Sequence, residues 1–345
     1  MSKSRKPPTI SDVAKLAGVS VGTVSNVLNN RASVSAGRAR RVMRAVRELG
    51  FTGSMLAKGM RAQHNTLIGL CVPNTGFANF ASLADTLDEL SVADNFELIQ
   101  VFSRYDAERE LARIRRLIAY KAAGLLIVPS LQPQRVLDLV YEAGLPTVII
   151  NRMVPNETRF DQIALDHETG IVEVASRLLE LGHKHIALAI QYPQLSVTQQ
   201  RISSLTWTVE ASGKGAKWSV LECGFESETF ENTFAETMRS PERPTAIIAS
   251  NDLLASWLIR AMHNNGIQCP KDMSLVVLEE PDWAELVYPK LSCFQQPARE
   301  IGRLAWDKLT QRINGEAGEP VTLRCAGKMV FRGSVAEYNK STTSE

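Results

Sequence analysis

Residues 9–29 read TISDVAKLAGVSVGTVSNVLN, the pattern of two short helices joined by a tight turn. Thr9-Ile10-Ser11-Asp12 has the T-x-x-D form of a capping box, in which a hydroxyl and a carboxylate satisfy free amides at a helix start. Val13, Leu16 and Ala17 supply an apolar face, and Gly18 ends the helix because glycine enters the left-handed conformation without steric cost. Ser20 is placed to cap a second helix whose Val24, Val27 and Leu28 recur at helical spacing. A third helix starts from Ser35, with Ala39, Val42, Val46 and Leu49 on one side and Arg38, Arg41 and Arg44 near the other. Helix, glycine-containing turn, helix predicts an all-α helix-turn-helix headpiece.

Outward from that stretch, charge is segregated. Residues 1–62 hold twelve basic residues against Asp12 and Glu48, a net +10 in a chain whose total is +2, so the remainder carries −8. A basic head on an acidic body is the electrostatic footprint of nucleic-acid binding.

Gly53, Ser54 and Gly59 punctuate the segment after the head, and from Thr66 apolar strands alternate with helices. Strands are predicted near residues 67–72, 96–102, 124–128 and 147–150, then 163–165, 185–189, 219–221, 246–249 and 275–278, with helical stretches between them. Continuous apolar strands with helical crossovers imply parallel sheets covered on both faces. Two consecutive blocks imply two lobes, with ligands at the carboxyl ends of strands.

The 345-residue chain is 44% hydrophobic and 22% charged, which suits a protein with substantial cores and two or three folding units. Its longest apolar runs, 124–129 and 146–150, fall far short of the roughly 20 residues of a membrane span. The basic N-terminus leads into no apolar export segment, so a cytoplasmic location without a membrane partner is expected. Cys71, Cys223, Cys269, Cys293 and Cys325 are odd in number and never spaced C-x-x-C, which points to buried thiols. His183 and His185 lack a third ligand nearby, so no metal is expected. Gly213-Lys214-Gly215 lacks the flanking residues of a phosphate loop, no G-x-S-x-G occurs, and no acidic pair has support as a general acid and base. Neither a cofactor nor catalysis is expected.

Thr9 to Asn29 closely resembles the headpiece signature of the lactose and galactose repressor family. The resemblance continues through Gly182-His183, Ser250-Asn251-Asp252, Gln296-Pro297 and Arg332-Gly333-Ser334. It implies a DNA-binding headpiece over 1–52, a hinge helix and linker over 53–65, and over 66–345 an α/β, two-lobed, periplasmic-binding-protein-like body that binds an effector and dimerises. Family members bind operator DNA as dimers. The resemblance places Val21, Gly22 and Asn26 at base edges in the major groove, and Thr9, Ser20, Thr23, Ser25, Asn29, Ser35 and Arg38 at phosphates. Val21 suits a thymine methyl and Asn26 an adenine edge, while Gly22 reads nothing through a side chain. For the hydroxyls, helix capping is the competing role, and for Ser20 and Ser35 both roles can coexist.

In the hinge, Ser54-Met55-Leu56-Ala57-Lys58-Gly59-Met60-Arg61, the family forms a short helix on DNA whose two copies pack in the minor groove. Ala57 and Met60 are assigned to that contact, Met60 as the wedge that opens a base step. Gly53-Ser54 stands where the family usually has Pro-Asn, and Gly59 lies inside the expected helix, each glycine weakening it by roughly 1 kcal/mol.

Positions matching the family's pocket are Asn79 and Phe80 after the first strand, Asn151 and Arg152 at the lobe crossover, Arg201, Phe225, Asn251 and Glu279. Amides, guanidiniums and a carboxylate bond hydroxyls directionally, and the two rings suit an apolar sugar face, although Phe225 could equally be plain core. Asn151 and Glu279 stand where the family usually has aspartate. Arg152 and Arg201 suit a sugar acid as well as a neutral sugar. Residues 339–345 lack the leucine repeat of the family's tetramers, so a homodimer is expected. The rival reading is a sugar-binding module without DNA function, which the basic headpiece opposes.

Overall fold

The computed structural model describes residues 8–28, 34–51, 65–74, 76 and 78–338. The chain divides into two compact units, Met1–Asn65 and Thr66–Glu345. The first holds α1 (Ile10–Ala17), α2 (Val21–Leu28) and α3 (Ala36–Leu49). Both halves of the capping box form at Thr9 and Asp12, and Gly18 sits at φ 62° with its amide turned back to the carbonyls of Ala14 and Lys15. Val13, Ala14, Ala17, Val24, Val42 and Ala45 make the small core. Two local expectations change. Leu16 is 47% exposed, because the buried row of α1 runs through positions 13, 14 and 17 and leaves 16 on its far flank. Ser35 precedes α3 without a side-chain bond to its first turn.

In the second unit the predicted alternation is present: β1 (Leu67–Val72), α4 (Ala78–Ala93), β2 (Glu97–Phe102), α5 (Ala107–Ala119), β3 (Gly124–Ile127), α6 (Pro133–Glu142), β4 (Thr147–Asn151) and β5 (Asp161–Leu165). It continues through α7 (His167–Glu180), β6 (His185–Ile190), α8 (Ser196–Ala211), β7 (Lys217–Glu222), α9 (Ser227–Arg239), β8 (Ala246–Ala249), α10 (Asp252–Asn264) and β9 (Ser274–Val277). Beyond it come β10 (Ser292–Gln295), α11 (Ala298–Ile313), β11 (Thr322–Cys325) and β12 (Lys328–Val330). Every residue of β3, β4 and β8 is buried, as strands covered by helices on both faces require.

Two six-stranded sheets result, ordered β11-β5-β4-β3-β1-β2 and β12-β10-β9-β8-β6-β7. Their pairings are parallel except that β12 runs antiparallel to β10. The lobes are therefore not two consecutive blocks. The fifth strand stays with the first sheet, and the chain crosses between lobes three times: at Asp166 before α7, at Gln296-Pro297 after β10, and between β11 and β12. Helix α11 returns to the first lobe, where Gly124 admits it closely; a Cβ there would stand 2.9 Å from Leu309. Asn151 and Arg152, expected at the lobe crossover, instead lie inside the first lobe, at the last residue of β4 and just beyond it, because β5 pairs alongside β4.

Candidate functional site

In the headpiece, α2 begins where Ser20 Oγ accepts the Thr23 amide at 3.2 Å and shares a 3.0 Å bond with the Thr23 hydroxyl. Val21 and Gly22 lie exposed at its first turn, while Thr23, Ser25 and Asn26 are partly exposed and Val24 points into the core. Gly22 and Asn26 are four residues apart, hence neighbours along the helix surface. Ser35 and Arg38 are exposed at the start of α3, and Arg40, Arg41, Arg44 and Arg47 extend that row. Thr9 is already engaged: its hydroxyl donates to Asp12 Oδ2 at 2.7 Å and accepts the Asp12 amide, and its own amide donates to the same carboxylate. As a phosphate donor Thr9 would have to give up that bond. Asn29, Ala57 and Met60 lie outside the described residues, as does the hinge from Ser54 to Arg61.

In the second unit, loops at the carboxyl ends of both sheets converge on one cavity. The first lobe contributes Asn79 and Phe80 from the start of α4, Tyr105 after β2, Asn151 at the end of β4 and Arg152 just after it. The second lobe supplies Gln191 and Tyr192 after β6, Thr198 and Arg201 from α8, Ser250 and Asn251 after β8, and Glu279 after β9. His167 and Gln296 enter from two of the chain crossings. Seven of the eight sequence-assigned pocket residues thus meet. Phe225 does not; it is 64% exposed, so it is no core residue either, and its ring stands 4.9 Å from Tyr192, which does line the cavity. Tyr105, His167, Gln191, Tyr192, Thr198, Ser250 and Gln296 were not assigned from sequence, although Ser250 and Gln296 lie within the quoted matches.

The cavity is held together by bonds between its own walls. Asn79 Nδ2 donates to Gln296 Oε1 at 3.1 Å, and Gln296 Nε2 donates to the Leu278 carbonyl. Asn251 caps α10 by accepting the Leu254 amide at 2.9 Å and donates to Gln191, so its first duty is structural. Asn151 holds φ at 64°, a left-handed conformation that asparagine tolerates better than most side chains. The rings of Tyr105 and Tyr192 meet across the cleft, their centres 4.1 Å apart and their planes tilted by 33°.

Arg201 donates to the Ser250 carbonyl at 3.1 Å and to His167 Nδ1 at 3.3 Å. Because a guanidinium only donates, Nδ1 is the acceptor and the imidazole proton sits on Nε2. Burial, with Arg201 and Arg152 beside it, holds His167 well below its ordinary pKa, so the ring is neutral. Arg152 donates to the Pro129 carbonyl at 3.1 Å and to the Tyr105 hydroxyl at 3.4 Å, with its guanidinium 5.1 Å from the tyrosine ring centre. Burial lowers Arg201 to about 10, Arg152 adding repulsion that Glu279 opposes. Burial, reinforced by Asp252, pushes Glu279 up to about 8. Among the described residues, Asn79 Oδ1, His167 Nε2 and Glu279 Oε2 are buried polar atoms without a hydrogen-bond partner. Three such atoms around one cavity leave it with hydrogen-bonding groups for a polar molecule.

Residues 9–54 match the bacterial regulatory proteins of the lacI family, and residues 175–335 match a periplasmic binding protein-like domain. The chain thus carries a lacI-family DNA-binding domain and a periplasmic binding protein-like domain, and is a DNA-binding transcriptional regulator. It is 28% identical to the HTH-type transcriptional repressor PurR of Vibrio parahaemolyticus serotype O3:K6 (strain RIMD 2210633), over 96% of this chain and 99% of that one. It is 26% identical to the HTH-type transcriptional regulator KdgR of Bacillus subtilis (strain 168), over 95% and 97%. Its fold matches that of a lac repressor dimer bound to operator and the anti-inducer ONPF, with TM-score 0.80 and 22% identity over 96% of this chain and all of the other. A CelR–cellobiose complex matches with TM-score 0.70 and 24% identity over 95% and 99%. Among the described residues, no helix is long and apolar enough to cross a membrane.

Proposed function

We propose that the chain represses transcription as a homodimer on operator DNA, and that a small sugar or sugar acid held between the lobes sets its operator affinity. The observation that carries this reading is the pairing, in one chain, of an exposed basic helix face with a cavity that leaves three buried polar atoms unpartnered. The headpiece approaches DNA with Val21, Gly22 and Asn26 at base edges and with Ser20, Thr23, Ser25, Ser35 and Arg38 toward phosphates. Dimeric assembly is supported by the lac repressor dimer that shares the fold, and a sugar effector by the cellobiose complex. Asn79, Phe80, Asn151, Arg152, Arg201, Asn251 and Glu279 hold the effector, with Phe225 at most buttressing Tyr192.

The effector leaves as it entered. Around neutrality Glu279 keeps its proton and the free nitrogen of His167 carries one, so both are hydrogen-bond donors and neither is poised as a base. The headpiece spans 1–52, the linker 53–65 and the sensor 66–345, and the protein works in the cytoplasm at the nucleoid. The test is selection of bound fragments from random DNA with the full-length protein, followed by gel retardation with and without sugars and sugar acids. A palindromic site released or tightened by one of them is the expected result. A protein that binds a sugar but retards no DNA at low salt would be a sensor module alone.

A further inference from the structure

Arg152 and Arg201 are 8% and 7% exposed, among the most buried charges in the body. Elsewhere in the body, less buried arginines are paired: Arg159 with Glu157, Arg312 with Asp161 and Arg332 with Glu280. Among the described residues no Asp or Glu oxygen lies within 4.0 Å of either Arg152 or Arg201. Buried guanidiniums without counter-ions are costly, and two in one cavity repel each other as well. Each spends two donors on neutral acceptors, leaving three of its five N–H groups uncommitted among the described residues.

The nearby carboxyls do not neutralise them. Glu110 spends both oxygens on Ser130, one on its amide at 2.9 Å and one on its hydroxyl at 2.8 Å. Glu279 lines the cavity beyond ion-pair distance of both arginines, and Asp252 beside it adds like charge that favours the protonated form. His167 offers a neutral N–H. The cavity is thus cationic and rich in donors.

We propose that the effector is an anion, a small hydroxyl-bearing carboxylate or phosphate whose acid oxygens sit on the free guanidinium donors of Arg152 and Arg201. This rests on reading the body as an effector sensor and narrows its ligand from sugars in general to acidic ones. Planar, paired guanidinium donors match the oxygens of either acid group. His167 Nε2–H and the Glu279 carboxyl add donors, and Asn79 Oδ1 accepts from a ligand hydroxyl. The Pro129 carbonyl and the Tyr105 side chain hold one guanidinium in place, and the Ser250 carbonyl and His167 hold the other.

The experiment is calorimetric titration of the full-length protein with D-gluconate, D-glucuronate, D-glucose 6-phosphate, inorganic phosphate and D-glucose. Wild type, Arg152→Gln, Arg201→Gln and Arg201→Lys are compared, with circular dichroism reporting folding. At least one acid is expected to bind saturably and at least tenfold tighter than D-glucose. The glutamine variants should each lose tenfold or more, and Arg201→Lys should lose less than Arg201→Gln. Preference for gluconate and glucuronate assigns a carboxylate, and preference for glucose 6-phosphate or inorganic phosphate assigns a phosphate. Glucose binding as tightly as every acid, no saturable response to any anion, or acid binding unchanged in both glutamine variants would each overturn the proposal. If Arg201→Gln does not fold, Arg152→Gln decides alone. Operator retardation by the same wild-type preparation tests the DNA-binding reading separately, since its loss leaves anion binding in the cleft untouched.

Discussion

The headpiece and the cleft both rely on arginine, under opposite conditions. Arg38, Arg40, Arg41, Arg44 and Arg47 stand exposed on α3, already solvated, so they act over distances set by ionic screening. Arg152 and Arg201 are buried among neutral partners, where a charge costs several kcal/mol and acts over the length of a hydrogen bond. The two sites are therefore vulnerable in different ways. The head depends on many interchangeable charges and therefore on salt; the cleft depends on single atoms.

Salt should act most strongly, and on the head. If the dimer neutralises six to ten phosphates, operator affinity should fall about 10³- to 10⁵-fold between 50 and 200 mM salt. Effector affinity should change by less than tenfold over that range. Fluorescence anisotropy on operator and calorimetry on effector measure the two, and equal slopes would erase the contrast. Next in size is the cleft. Arg201→Ala removes a charged, paired donor set and should cost about 2–5 kcal/mol of effector affinity, roughly thirtyfold or more; operator retardation by the same variant reports that the head is folded.

A smaller effect is expected at a single base. Asn26→Ala should cost about 1–3 kcal/mol at one operator position in each half-site and leave the others alone, as scored by base-by-base operator variants. A uniform loss across positions would make Asn26 a backbone contact. The smallest effect concerns pH. Glu279 is held up to about 8 by burial, with Asp252 reinforcing and Arg201 and Arg152 opposing. The folded state therefore binds a proton that the unfolded state releases. Effector-free stability should fall as pH rises from the ordinary carboxylate range toward 8, and this contribution should be constant above it. Acid effectors should also bind several-fold more weakly at pH 9 than at pH 7, because ionised Glu279 adds a negative charge beside them. Glu279→Gln should flatten both profiles in thermal melts and titrations.

The headpiece was largely legible in the sequence because its signals are local. Thr9 and Asp12 are three residues apart and find each other within one turn, and Gly18 stops the helix that they start. Ser35 shows the limit: the residue type permits a cap, but its side chain makes none. In the body, β3, β4 and β8 could be read from continuous apolar runs, whereas β10 and β12 could not. β12 has only three residues, and β10 begins with Ser292, a buried polar residue satisfied by Ser334 and the Arg332 backbone 40 or more residues away. Ile301, Ala305 and Leu309 give α11 a helical face, yet nothing local says that it rejoins the first lobe. The cleft follows the same rule. Asn79, Arg201 and Asn251 came with recognisable neighbours, while Tyr105, His167 and Tyr192 enter only because strand ends from two sheets converge. Phe225 had the right chemistry but lies one ring outside the lining.

The three chain crossings between the lobes have a consequence for how such a sensor changes over time. Because β11 and α11 belong to the lobe that the chain left at Asp166, neither lobe corresponds to an uninterrupted stretch of the coding sequence. A protease cut in one surface loop leaves both lobes tethered, and heating should melt them together because each lacks an edge strand without the chain that runs through the other. The headpiece, by contrast, is contiguous. Recombination can therefore graft a new operator preference onto this body with a single crossover, but it cannot exchange half a cleft, so new effector specificity has to arise by point substitution within the intact body.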